Sequence, residues 1–165
     1  MVDRRPFLVA AAVLLADQLS KWAVTVPLDL YARGQIVLAP IFNFTWTENR
    51  GISLGIGQAE TDMHRWLLVL GTGAIAAGVA YWITREKSAG DRLALGLVLG
   101  GALGNIVDRM RLGYVVDFLD LHFGGWRPFY VFNVADAAIS IGVVILLLRA
   151  FFARKTALQE TQDHA

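Results

Sequence analysis

Four apolar stretches, each about as long as a bilayer is thick, dominate this chain, at about residues 7–26, 66–84, 93–110 and 130–150. A helix needs ~20 mostly apolar residues to cross the hydrocarbon core. In lipid, every backbone polar group of such a segment must be satisfied within it. The chain therefore reads as one integral membrane domain over residues 1–165, mainly α, with four transmembrane helices. Composition agrees, with 56% hydrophobic and 18% charged residues, against about 25% charged in soluble domains. Arg4 and Arg5 before an apolar run resemble the start of a cleaved signal peptide. However, Asp17-Gln18-Leu19-Ser20-Lys21 follows in place of a small-x-small cleavage site, so the segment reads as a retained span.

Four antiparallel spans put both termini on one side. That side carries eight Lys and Arg in the 31 residues of 1–6, 85–92 and 149–165, against six in the 61 residues of 27–65 and 109–130. Positive charge favours the cytoplasm, so both termini are expected inside. The ionisable residues of the spans then share one end, whichever way the protein is oriented. Asp17 and Lys21 lie late in the first span, Asn105, Asp108 and Arg109 close the third, and Asn133 and Asp136 open the fourth. A charge at the bilayer centre costs ~3 kcal/mol on insertion scales. These groups must face one another or a wet cavity at the outer membrane boundary.

The chain contains no cysteine, which excludes disulfides, thiolate metal sites and cysteine nucleophiles. His64, His122 and His164 are scattered without ligand spacing, so neither a zinc site nor another cofactor is expected. A net charge of +1 gives no basic patch for nucleic acid. The remaining acid–base candidates are Asp17, Asp108, Asp117, Asp120 and Asp136. Two carboxylates close together in a poorly solvated site share a proton near neutral pH, and so supply a base and an acid together. Asp136, inside a span, is the strongest single candidate, and its partner is Asp117 or Asp120, or Asp17. The rival reading pairs Asp136 with Lys21 or Arg109. Likewise Asp17 and Lys21, four apart with the acid first, are either a self-neutralising pair or part of the site. Besides a hydrolase, this pattern admits a proton-coupled transporter or a scaffold whose charges only fix helix packing.

The outer connections carry their own signals. Residues 41–47 alternate Phe42, Phe44 and Trp46 against Asn43, Thr45 and Thr47, a strand pattern. Glu48-Asn49-Arg50-Gly51 reads as a turn, and Ile52–Ile56 as a returning strand, giving a small β region over about 35–57. The second connection holds Val115-Val116-Asp117-Phe118-Leu119-Asp120 and the turn Gly124-Gly125-Trp126-Arg127-Pro128. Gly96, Gly100 and Gly104 form a small-xxx-small stripe that lets helices approach closely, and Ala74 with Gly78 reads the same way.

Five boxes, taken in order, resemble the bacterial lipoprotein signal peptidases (signal peptidase II): Asp17-Gln18-x-x-Lys21, Asn49-x-Gly51, Gly100-Gly101-Ala102-Leu103-Gly104-Asn105-x-x-Asp108-Arg109, Val115-Val116-Asp117-Phe118-x-Asp120 and Phe132-Asn133-x-Ala135-Asp136. In the second box Ile52-Ser53-Leu54 departs from the usual small-then-aromatic pattern, which bears on one pocket wall. The resemblance implies an aspartic endopeptidase of the bacterial inner membrane. It would cut the signal peptide of diacylglyceryl prolipoproteins just before the lipidated cysteine, without a metal. It also implies Asp117 and Asp136 as the catalytic pair, with Asn133 positioning them. Asp17, Lys21, Asn49, Gly51, Asn105 and Arg109 would line or brace the substrate site. A surface sheet would cradle the substrate, the 109–130 connection would act as a lid, and cyclic peptide antibiotics would inhibit in the same groove.

Overall fold

The computed structural model describes residues 3–51 and 62–163, and beyond residue 152 it describes the backbone alone. Five helices are α1 (Arg5–Thr25), the single turn α2 (Leu30–Arg33), α3 (Asp62–Arg85), α4 (Ala89–Leu112) and α5 (Val134–Asp163). Three strands are β1 (Gln35–Ala39), β2 (Phe42–Asn49) and β3 (Val115–Leu121). All four long helices are long and apolar enough to cross a membrane. Their flanks are lined by exposed Leu8, Leu15, Leu67, Leu70, Leu147 and Phe151, the surface a lipid-facing bundle presents.

The ends of the helices follow from local chemistry. Pro6, which has no N–H to lose, starts α1. Ser88 caps α4 by accepting from the Asp91 amide, and Gly113 ends it at a φ of 86°, a left-handed position that suits glycine. α4 is the central helix, with α1, α3 and α5 packed around it, and α3 packs mainly on α4. The glycine stripe explains the closeness. Gly96 and Gly100 lie against the α1 backbone at Pro6 and Ala10, Gly104 against the Asp17 carboxylate, and Gly101 against the α5 backbone at Ala135. Ala10, Leu95, Leu99, Val69, Ala76 and Ile83 fill the apolar core between α1, α3 and α4.

Two sequence expectations are corrected here. Ala74 and Gly78 are not a packing face: both are exposed and Gly78 meets open space, because α3 turns Ala76 and Ile83 inward instead. The second partner of β2 is β3, from the second connection, in a three-stranded antiparallel sheet of order β1-β2-β3. The sequence reading treated residues 115–120 only as a connection. The expected strand at 52–56 lies outside the described residues. In addition, α4 begins at Ala89 and α5 at Val134, so residues 130–133 approach the bundle outside any helix.

The sheet sits on the end of the bundle where α1 and α4 finish and α5 begins. A second apolar cluster of Val24, Leu30, Val116 and Phe118, with Phe44 and Trp46 against it, joins sheet to helix. Phe44 and Phe118 meet edge to face at 5.6 Å. Asn43 and Thr45, the alternate residues of β2, turn towards His122 and Asp120. That is the two-residue alternation read from the sequence.

Candidate active site

The polar residues of the spans converge beneath this sheet, and they divide into two groups. In the first, Lys21 lies between Asp17 and Asp108, its Nζ 2.8 Å from a carboxylate oxygen of each. All three are buried. Gln18 donates to both carboxylates. Backbone amides supply further donors. Asp17 Oδ1 accepts from the Ala135 amide in the first turn of α5, where unpaired N–H groups favour an anion. Asp108 Oδ2 accepts from the Val116 amide at the start of β3. This cluster ties α1, α4, α5 and β3 together at one point.

The second group centres on Asp117 and Asp136. Asp117 stands on β3 opposite Thr47 of β2. Its Oδ2 accepts from Asn49 Nδ2 at 3.0 Å and its Oδ1 from Asn133 Nδ2 at 2.6 Å. Asn49 uses its other end to accept from the Gly51 amide, closing a turn in which Gly51 takes a φ of 84°. A side chain at Gly51 would press on the tip of Leu68, with the Arg109 guanidinium beside it. Asp136 lies in the first turn of α5 and is part of a capping box. Its Oδ2 accepts from the Asn133 amide, and Asn133 Oδ1 accepts from the Asp136 amide. Asn105 of α4 donates to Asp136 Oδ1 at 2.8 Å and accepts from Asn133 Nδ2 at 3.2 Å. The two carboxylates are thus joined through two amides, Asn133 and Asn105. Lys21 reaches this group only by a long contact of 3.4 Å to Asn105.

The site is electrostatically unbalanced. Burial, and next the charge of Asp136, push the Asp117 carboxyl up to about 6, with the Asn49 and Asn133 hydrogen bonds opposing the shift. Lys21 also opposes the shift, and half-buried Arg109 feels the charges of Asp136, Asp117 and Asp108. Among the described residues the Arg109 Nε has no partner, and one of its terminal nitrogens makes only a 3.5 Å contact to the Asn105 carbonyl. A pair of this kind, one member ionised and one protonated, can activate water and protonate a leaving group.

The structure brings together all nine residues expected at the site: Asp17, Lys21, Asn49, Gly51, Asn105, Arg109, Asp117, Asn133 and Asp136. Asp17 and Lys21 form an ion pair that Asp108 completes, and Asp136 accepts from amides, with no ion pair to Lys21 or Arg109 among the described residues. Asp120 lies apart, bonded to Thr45 and Arg127. The sequence reading did not assign a role to Gln18 or see the capping box, although Asn133-x-x-Asp136 before an apolar run is its signature.

The match to known proteins spans the whole of this region. A family described as signal peptidase (SPase) II matches residues 9–152. A protein named lipoprotein signal peptidase from Rhizorhabdus wittichii is 61% identical over 149 residues, covering 90% of this chain and 87% of the relative. One of the same name from Sphingopyxis alaskensis is 61% identical over 141 residues, 86% of this chain and 82% of the relative. Two solved structures described as bacterial membrane enzymes superpose with TM-scores of 0.76 and 0.75 at 26% and 28% identity. They cover 92% and 88% of this chain, and 90% and 91% of theirs.

Proposed function

The chain belongs to the signal peptidase II family, and from that premise we propose that it is an aspartic endopeptidase that cleaves diacylglyceryl prolipoproteins just before the lipidated cysteine. The observation that carries this reading is the pairing of Asp117 with Asp136 through Asn133 and Asn105, at the sheet-covered end of a four-span bundle. Each carboxylate comes from a different element and is bonded to neutral amide donors, which orient it without quenching its charge.

In the form that cleaves, the pair holds one proton. The ionised carboxylate takes a proton from water, which attacks the scissile carbonyl. The protonated carboxyl polarises that carbonyl, and a carboxyl proton then passes to the leaving nitrogen. Arg109, with nitrogens to spare, stabilises negative charge developing on the substrate. Asn49 and Asn133 fix the Asp117 oxygens, and Asn105 fixes Asp136. The Asp17–Lys21–Asp108 cluster holds the framework that sets the two carboxylates apart.

The membrane setting matches the substrate. Excess Lys and Arg at the opposite end of the bundle favours both termini in the cytoplasm, with the site near the outer face of the inner membrane. Acyl chains in the outer leaflet hold a lipidated cysteine near the headgroup boundary, the depth of the dyad. A groove between spans, open to lipid, would admit the hydrophobic segment of the signal peptide. Cyclic peptide antibiotics that occupy the same groove would inhibit.

The test is a gel-shift cleavage assay on purified protein, with a prolipoprotein supplied with and without its diacylglyceryl group. Cleavage of the lipidated form alone is expected. Equal cleavage of both forms would remove the lipid requirement, and no cleavage by folded protein would remove the reading.

A further inference from the structure

Asp120 has no part in the mechanism above, yet it is the most costly side chain in the sheet. It is fully buried, and its Oδ2 carries both of its contacts: the Thr45 hydroxyl at 2.9 Å and the Arg127 guanidinium at 3.3 Å. Its Oδ1 is buried with no partner. A carboxylate so placed depends on its one cation.

That cation sits on a segment with little else to hold it. After β3 the chain leaves the sheet at His122, whose amide donates to the Ile41 carbonyl, and turns at the Phe123–Trp126 bridge. It then returns through Arg127, Pro128, Phe129 and Tyr130. Phe129 and Tyr130 are 61% and 92% exposed, so this return arm gains little from packing. It rejoins β3 at the bridge between Phe132 and Leu119, where the Phe132 carbonyl accepts from the Phe118 and Leu119 amides. The next residue is Asn133, the amide that grips Asp117 and caps α5 beneath Asp136.

We infer that Asp120 is a positioning residue: through Arg127 it pins the return arm to the sheet and so holds Asn133 against Asp117. This rests on the dyad assigned above. Asp120 is three residues from Asp117 along one strand, and Arg127 is six from Asn133 along the arm. The ion pair therefore closes a small ring of chain whose other closure is the Leu119–Phe132 bridge. Releasing Arg127 leaves the arm held by that bridge and by Asn133's own bonds to Asp117, Asn105 and Asp136.

A loosened Asn133 has an effect that lost packing alone does not. Asn133 donates to the Asp117 carboxylate and stabilises its ionised form. The other groups facing Asp117 are Asp136 of α5, Lys21 of α1, Arg109 of α4 and the uncharged Asn49 of β2, and Asp120 is bonded to none of them, its partners being Thr45 and Arg127. Weakening the Asn133 bond makes the dyad harder to ionise. The acid limb of the pH profile of kcat/KM then moves to higher pH.

The experiment compares Asp120→Asn, Arg127→Gln, their double variant and Arg127→Lys with the full-length protein in the gel-shift assay across pH 4 to 8, with Tm measured on each. Asp120→Asn keeps the volume and an oxygen for Thr45, so it preserves the sheet. The expected result is a fall in kcat of about tenfold, less than the ~100-fold that a 1 Å misplacement can cost. The acid limb should move upward, in the direction Asn133→Ala moves it further. The double variant should be no worse than either single one, and Arg127→Lys should keep near-normal activity. An unmoved acid limb in both single variants, or strictly additive losses in kcat, would overturn the inference even if Tm falls. Asp117→Asn, run alongside, separates the two readings. If it remains active, the dyad falls and the inference with it; if it is dead while Asp120→Asn keeps the normal profile, only the inference falls.

Discussion

Two groups of carboxylates lie side by side at one end of the bundle, built from the same residue type and sharing neighbouring turns of α4 and α5. In one, Asp17 and Asp108 bind the same ammonium, and Gln18 and two backbone amides donate to the same two carboxylates. In the other, Asp117 and Asp136 bind only neutral donors and face each other's charge. The difference lies in the partner rather than in the residue or its depth. A buried cation fixes the protonation state of its carboxylates and suits them to holding helices together. A second carboxylate leaves a proton to be shared, which is what acid–base chemistry needs.

The strongest way to break this comparison is to neutralise members of each group and measure cleavage. Asp117→Asn and Asp136→Asn should each lower kcat by about 10²–10⁴-fold, the range for a positioned general acid or base, in protein that still folds. Asp17→Asn keeps the dyad intact and should cost far less in kcat per remaining folded molecule. Equal losses at all three positions would mean that the two groups are one catalytic unit.

Stability should divide the other way. Lys21→Met leaves two buried carboxylates without their cation, and breaking a buried ion pair from one side costs about 3–5 kcal/mol. Thermal unfolding in detergent should show a large fall in Tm, or loss of folded protein. Combining it with Asp17→Asn and Asp108→Asn should recover most of that loss, because the charges then vanish together. A triple variant no better than Lys21→Met alone would mean that the cluster does more than balance charge.

The glycines of α4 join the two regions mechanically. A methyl group at Gly101 meets the Ala135 carbonyl and Ile139, so Gly101→Ala presses directly on the turn that carries Asp136. Overpacking of this kind costs about 1–3 kcal/mol. Gly73, where α3 meets open space, provides the control, and Gly73→Ala should be neutral or slightly stabilising. A Gly101→Ala variant with normal Tm and normal cleavage would show that α5 can shift without disturbing the dyad.

Sequence patterning made the spans readable because lipid imposes a length and forbids stray charge. The same rule grouped Asp17, Lys21, Asn105, Asp108, Arg109, Asn133 and Asp136 at one end before any fold was known. What it could not do was choose partners. Asp136 opposite Lys21 and Asp136 opposite Asp117 satisfy the same spacing, and the choice depends on β3 pairing with β2 to bring Asp117 under Asn49. That pairing was missed because Val115–Leu121 is apolar on both sides of its two aspartates, so it lacks the alternation that marks β2. Ala74 and Gly78 misled for a related reason: small residues permit close packing but do not say which helix comes.

The finest distinction between the groups is in how stability depends on pH. Asp117 lies on β3, outside the spans, and its carboxyl is pushed from an ordinary 3.8 to about 6, first by burial and then by Asp136. Below pH ~4 it is protonated in both folded and unfolded chains and contributes nothing. Between pH ~4 and ~6 the unfolded chain gives up this proton first, so the folded state loses stability as pH rises. At pH 8 the loss is complete. Asp117→Asn removes it but gives up one of the two amide hydrogen bonds, because an asparagine NH2 cannot accept from Asn49 or Asn133. The net gain is about 1 kcal/mol, a few degrees in Tm at pH 8 that should close as the pH falls to 4. Asp17→Asn, which takes an anion from Lys21, should lower Tm at pH 8. If both substitutions shifted Tm in the same direction at pH 8, the contrast between a quenched and an unquenched pair of carboxylates would not hold.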